Sequence, residues 1–220
     1  MLATRVPDGW SLSGHMPWTT SWGIADWFSV AAVSAGGDLV WSMIPAAGLD
    51  RVTATALALP VLGSTGTVAL GFDGCLVPDE QVAMIEDVED WRSLDRVRSS
   101  IGQPAVLGVA DRAIRLLGEI GDPQARDAAE RLRSDLAATW MRDEELIAAT
   151  MRGDDIVRDG SDHRATCIDL SRRATTGLLA AVGGRGMDLG HPAQRLAREA
   201  DFYVIQAQTA DGRTATLRSV

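Results

Sequence analysis

Cysteine is scarce in this 220-residue sequence: Cys75 and Cys167 lie far apart, with no Cys-x-x-Cys spacing. That argues against a disulfide framework or a zinc site, and both read as small buried side chains. Histidine is as sparse. His15, His163 and His191 are too scattered for a metal cluster or a triad, so no metal is expected. No apolar run reaches the roughly 18 residues that a spanning helix needs. The opening Met-Leu-Ala-Thr-Arg also lacks the apolar centre of a signal peptide. The expectation is a soluble, cytoplasmic protein with no membrane attachment. Lysine is absent altogether, all 21 basic residues being arginine.

What is present is an apolar content of 46%, enough for one large or two small cores. The net charge of −9 sits in the first part of the chain. Residues 1–90 carry 11 acidic and 2 basic side chains, while residues 91–220 carry 19 of each. An acidic surface repels phosphate backbones, which excludes nucleic acid as a partner while leaving room for one anion-binding cleft.

Two patterns divide the chain. Up to about residue 84, short β-rich runs alternate with turn residues: Trp10–Leu12, Trp27–Val33, Asp38–Ile44, Val52–Ala58 and Thr65–Phe72. Gly36-Gly37 between two of them marks a hairpin. These runs predict a small antiparallel sheet or barrel, with most of the five tryptophans before position 42 filling its core. After an acidic segment, Glu86 to Asp90, helical periodicity takes over. Four faces emerge: Val106, Val109, Ala113, Leu116; then Leu132, Leu136, Trp140, Ile147, Met151; then Ile168, Thr175, Leu179, Val182; then Leu196, Ala200, Tyr203, Ala207. Asp122-Pro123 and His191-Pro192 mark helix starts, Gly183-Gly184 a helix end, and Gly153 to Gly160 a polar loop. The fold class expected is α+β, with a β-domain over 1–86 and a four-helix bundle over 87–220.

Particular motifs sharpen this. Residues 14–27 read Gly-His-Met-Pro-Trp-Thr-Thr-Ser-Trp-Gly-Ile-Ala-Asp-Trp, and residues 64–80 contain Phe-Asp-Gly-Cys-Leu-Val-Pro. The first run resembles the Gly-x-Lys-x-Trp-Ile-Thr/Ser stretch, followed by Ala-Asp, of the acyl-CoA dehydrogenase family. Gly14, Trp18, Thr20, Ala25 and Asp26 fall in register, and Met16 stands at the family's Lys. The second resembles that family's strand ending in Phe-Asp-x-x-x-Val-Pro. Long helical patterns follow in family order, with a Gly-Gly-x-Gly at Gly183 to Gly186 and a last helix carrying Arg198.

The resemblance implies FAD as cofactor and a flavin-dependent oxidoreductase acting on the CH–CH bond of an acyl-CoA or acyl-carrier-type substrate. It places Trp18, Thr19 and Thr20 against the flavin ring, Gly183, Gly184 and Gly186 near its pyrophosphate, and Thr209 near its phosphates. Each has a plain structural alternative: a core tryptophan, a strand threonine, a helix C-cap, a helix end. The family's base, which takes the α-proton, falls on Ala207 in one alignment and on Val97 in the other, and neither is a carboxylate. Asp95 and Asp211 lie nearby in sequence. The family's Arg-x-x-Phe-Gly between the first two bundle helices is replaced by Gly121-Asp122-Pro123-Gln124-Ala125-Arg126. Its N-terminal helical domain and its Thr-Glu-Pro…Gly-Ser-Asp strand have no counterpart in this sequence. The expectation is therefore a homo- or hetero-oligomer, with a separate chain supplying the N-terminal half and the base. Two rivals stay open: a non-catalytic subunit that has lost FAD, and a flavin-dependent monooxygenase-like relative.

Overall fold

The computed structural model describes residues 1–101 and 103–220. Packing divides the chain into two units, Met1–Leu94 and Asp95–Val220.

The first unit is a seven-stranded sheet built from β1 (Leu2–Val6), β2 (Gly9–Thr19), β3 (Trp27–Ser34), β4 (Asp38–Pro45), β5 (Val52–Ala56), β6 (Val68–Pro78) and β7 (Val82–Asp87). Its strand order is β5-β6-β2-β1-β3-β4-β7. Neighbours run antiparallel except β1 and β3, which pair in parallel with Leu2 opposite Val33. The predicted hairpin forms at Gly36-Gly37, where Ser34 Oγ accepts from the backbone N–H groups of Gly36 and Asp38. Gly9 has a different reason to be glycine: a Cβ there would lie 2.1 Å from the carbonyl oxygen of Val77 on β6. Leu12, Val30, Ile44, Leu70 and Val77 fill the core, with Trp10, Phe28 and Phe72 around them.

Two strands were not visible in the sequence pattern. β1 buries only Ala3, and edge strand β7 buries nothing, so neither shows a strong period of two. β2 is far longer than the expected Trp10–Leu12, because its second half carries His15, Met16 and Pro17 rather than alternating apolar residues. The tryptophans also depart from expectation. Of the five before position 42 only Trp10 is buried; Trp18 and Trp27 are exposed.

The helical pattern begins with α1 (Val88–Arg98), inside which the division between the units falls. α2 (Pro104–Glu119), α3 (Pro123–Met151), α4 (Val157–Val182) and α5 (Pro192–Tyr203) share one apolar core, and α6 (Ala210–Arg218) packs on α4. α4 touches α2, α3, α5 and α6, so it is the central helix. Helix starts follow from local chemistry. Asp122 accepts from Gln124 N at 2.7 Å, and His191 Nδ1 accepts from Ala193 N at 3.1 Å, each with proline next in the chain. α4 ends at Gly183, φ 69°. Gly160, expected in a loop, lies within α4 instead; a Cβ there would meet Ser100 O at 2.3 Å, so the close approach requires glycine.

The expected faces of α2 and α4 hold, but that of α3 drifts. Its buried stripe runs Ala125, Ala129, Leu136, Thr139, Asp143, Leu146, while Ile147 is 39% and Met151 85% exposed. α5 ends at Tyr203, so Ala207 lies beyond the helix, at φ 48°.

Candidate functional site

In the sheet unit, β2 carries Trp18 and Thr19 to the end of its pairing with β6, where a register shift separates Met16 from Thr19. Trp18 is 44% exposed, whereas Thr19 is buried and its Oγ1 has no protein hydrogen-bond partner. Just beyond, hydroxyls gather: Thr20 Oγ1 lies 3.5 Å from Thr67 Oγ1, which is 2.7 Å from Thr65 Oγ1. Backbone bonds from Ser21 N to Thr65 O and from Trp22 N to Gly66 O hold this cluster in place. An exposed indole, several hydroxyls and one buried hydroxyl without a partner form a donor set suited to a flat heteroaromatic ring such as a flavin.

In the helical unit, Gly183 and Gly184 are exposed, and a Cβ on either would meet nothing within 4 Å, so their backbone is open to a ligand. Gly186 is buried, its Cβ position only 3.0 Å from Leu179 Cδ2, which makes it a packing glycine. Thr209 is the N-cap of α6, accepting from Gly212 N at 3.2 Å; its hydroxyl hydrogen is left to donate.

The two residues on which the base was expected end up close to one pocket. Ala207 lines a cavity of about 310 Å³ together with Arg98, the neighbour of Val97, and with Arg164 and the start of α2. Among the described residues the lining holds no carboxylate. Asp211 is engaged elsewhere, its carboxylate 2.8 Å from Arg96 Nε, and it raises the pKa of that guanidinium through the hydrogen bond and the opposite charge.

A buried polar centre sits beside this pocket and was missed, because its members come from two helices, α3 and α4, that meet only in the folded chain. His163 Nε2 is 3.2 Å from Asp143 Oδ1 and 3.5 Å from Cys167 Sγ, and all three are buried. Burial lowers the His163 pKa despite the pull of Asp143, and it pushes the Cys167 thiol up to about 12. A protonated thiol and a neutral imidazole do not form a nucleophilic pair near neutral pH. Asp143 also accepts from Gln103 N at 3.4 Å, tying α3 and α4 to the start of α2. The i, i+4 spacing of His163 and Cys167 was the one signal in the sequence.

No family model matches the chain. Among curated proteins it is 28% identical to benzylmalonyl-CoA dehydrogenase of Aromatoleum aromaticum, over 95% of this chain and 60% of that protein. It is 26% identical to the mitochondrial 2-methylacyl-CoA dehydrogenase of Solanum tuberosum, over 96% and 56%. Solved structures agree in fold. A probable acyl-CoA dehydrogenase from Mycobacterium abscessus superposes with a TM-score of 0.82 at 16% identity, over 99% of this chain and 62% of that one. Butyryl-CoA dehydrogenase of Megasphaera elsdenii gives 0.76 at 20% identity, over 99% and 62%. The ChsE4-ChsE5 complex of Mycobacterium tuberculosis gives 0.70 at 22% identity, over 99% and 60%. This chain is thus acyl-CoA dehydrogenase-like from end to end, by sequence relatives and by fold. It spans about 60% of the length of the curated relatives it matches.

Proposed function

We propose that the chain is one component of a flavin-dependent acyl-CoA oxidoreductase acting on a CH–CH bond. Residues 1–86 form its flavin-facing domain and residues 87–220 its helical domain. The observation that carries this is the end of β2, where exposed Trp18 stands beside Thr20, Thr65, Thr67 and the unpartnered hydroxyl of Thr19. On the family resemblance Trp18, Thr19 and Thr20 would hold the flavin ring, and Gly183, Gly184 and Thr209 would bind its phosphates, with buried Gly186 packing behind them. A bound flavin supplies the acceptor for the hydride leaving the β-carbon of the acyl chain. The protein must then provide a base for the α-proton, and neither Ala207 nor Val97 can take one. A carboxylate from a partner chain would complete the site.

Exposed apolar side chains on the helical unit, Met141 and Met151 among them, suit an oligomer, either homomeric or with that partner. The test is the absorbance of the purified chain, alone and after mixing with candidate partners, followed by addition of acyl-CoA. Flavin that binds and is bleached by acyl-CoA only in the mixture supports the reading. A stoichiometrically yellow chain that turns over alone refutes the need for a partner.

The pocket without a carboxylate favours a second reading, a non-catalytic subunit that has lost FAD. Failure of any combination to bind flavin selects it. Flavin that binds, ignores acyl-CoA and reacts with oxygen once reduced selects the monooxygenase-like alternative.

A further inference from the structure

Arg164, on the central helix α4, is only 4% exposed, yet its hydrogen-bond partners are all neutral. Nη1 donates to Gln103 Oε1 at 2.8 Å, and Nη2 donates to the backbone carbonyls of Tyr203, at 3.3 Å, and Gln206. Among the described residues no carboxylate forms an ion pair with it. Burying a guanidinium without an opposite charge is costly, and burial lowers its pKa accordingly. An anion at the same place would offset that cost.

The pocket beside Arg164 has the features to take one. Arg98 supplies a second guanidinium at its mouth, exposed and, among the described residues, in no ion pair. α2 starts there as well, and its N-cap residue Gln103 makes no side-chain cap because its amide is turned to Arg164 and to Ile101 O. The first N–H groups of a 16-residue helix are left without a capping side chain at the pocket wall. Ile101, Pro104, Ala105, Val106 and Ala207 give one part of the lining an apolar wall, while Ser99, Tyr203 and Gln206 add polar atoms. Such a wall disfavours a fully hydrated inorganic ion and suits an anion carried on carbon. In a chain of net charge −9, a cavity lined by two cations and no carboxylate is a departure from the average surface.

We propose that this pocket is an anion subsite that takes a carboxylate carried on a short carbon chain, held by Arg98, Arg164 and the start of α2. The inference stands on the helical unit alone and does not depend on flavin binding.

The test uses the full chain and two-dimensional NMR, following the amides of Ala105, Val106 and Ala207 as pentanoate, its neutral counterpart pentanamide, and sulfate are titrated separately. Pentanoate should shift these amides saturably and bind at least about 10-fold more tightly than pentanamide, the loss of one charge-assisted contact being worth at least that factor. Sulfate should bind more weakly than pentanoate. Arg98→Gln, at an exposed position that leaves the fold intact, should weaken pentanoate about 10-fold, and Arg164→Gln should do at least as much if its spectrum remains that of a folded protein. Equal binding of pentanoate and pentanamide, or unchanged affinity in Arg98→Gln, overturns the subsite. Sulfate binding as tightly as pentanoate overturns its assignment to a carbon-borne carboxylate.

Discussion

In the sheet unit the buried polar groups are small hydroxyls, those of Thr19, Ser42 and Thr67, set among Leu12, Val30, Ile44, Leu70 and Val77. The helical unit buries Gln103, Asp143, His163 and Arg164 alongside its aliphatic core. The sheet is therefore stabilised by apolar burial and ladder hydrogen bonds. The bundle also fixes a polar centre at the start of α2, where groups from α2, α3 and α4 must meet in register. Apolar packing tolerates exchange of one aliphatic residue for another, whereas such a centre demands particular partners at particular distances. The difference is one of chemistry: the sheet presents an exposed indole at Trp18 with hydroxyls nearby, and the bundle presents charge.

The strongest way to break this division is to give the bundle pocket the carboxylate it lacks. The unmodified chain, supplied with FAD, should show no acyl-CoA-dependent reduction of an electron acceptor, since loss of a general base costs about 100- to 10,000-fold. Ala207→Glu should raise the rate measurably if flavin and acyl chain are correctly placed. Robust turnover by the unmodified chain would instead make Asp95 or Asp211 the base.

Within the sheet, Leu12→Ala removes a fully buried side chain and should cost about 2–5 kcal/mol of stability, read by chemical denaturation. The loss should not depend on pH across the acidic and neutral range, because the titratable group opposite Leu12 in the sheet core is the Cys75 thiol, whose pKa burial raises further.

The bundle should behave otherwise. His163 has a folded pKa below its ordinary value of 6.5, so the folded state resists protonation while the unfolded state accepts it. Its contribution is complete above pH 6.5 and is lost as the pH falls through 6.5 toward the folded value, with a slope of up to about 1.4 kcal/mol per pH unit. Denaturation at a series of pH values should reveal that slope, and His163→Gln should flatten it. An unchanged slope would locate the dependence elsewhere. The smallest effect belongs to a helix start: Asp122→Ala removes the cap on Gln124 N and should cost about 1 kcal/mol.

Much of this was legible in the chain. The hairpin at Gly36-Gly37, the helix starts at Pro123 and Pro192, the end of α4 at Gly183 and the buried faces of α2 and α4 follow from local rules, because turn geometry, proline's fixed φ and helical periodicity act over a few residues. The motif around Trp18, by which the chain resembles a flavin-facing strand, is likewise a string of neighbouring residues. What local rules leave open is which segments meet. β1 and β7 join the sheet through partners distant in sequence, and their own patterns are weak. Ala207 was placed on a helix by continuing a period of 3.6, but α5 stops at Tyr203, and the backbone carbonyls of Tyr203 and Gln206 accept instead from Arg164. The stripe of α3 turned toward Asp143 and Leu146 because α4 and the start of α2 offered partners there. The sequence by itself therefore determined most of the elements, several helix ends and the family resemblance. Only the tertiary structure decided that Arg98, Arg164 and Ala207 share one pocket, since the placing of charge against charge depends on contacts between residues up to about a hundred positions apart, which no local propensity encodes.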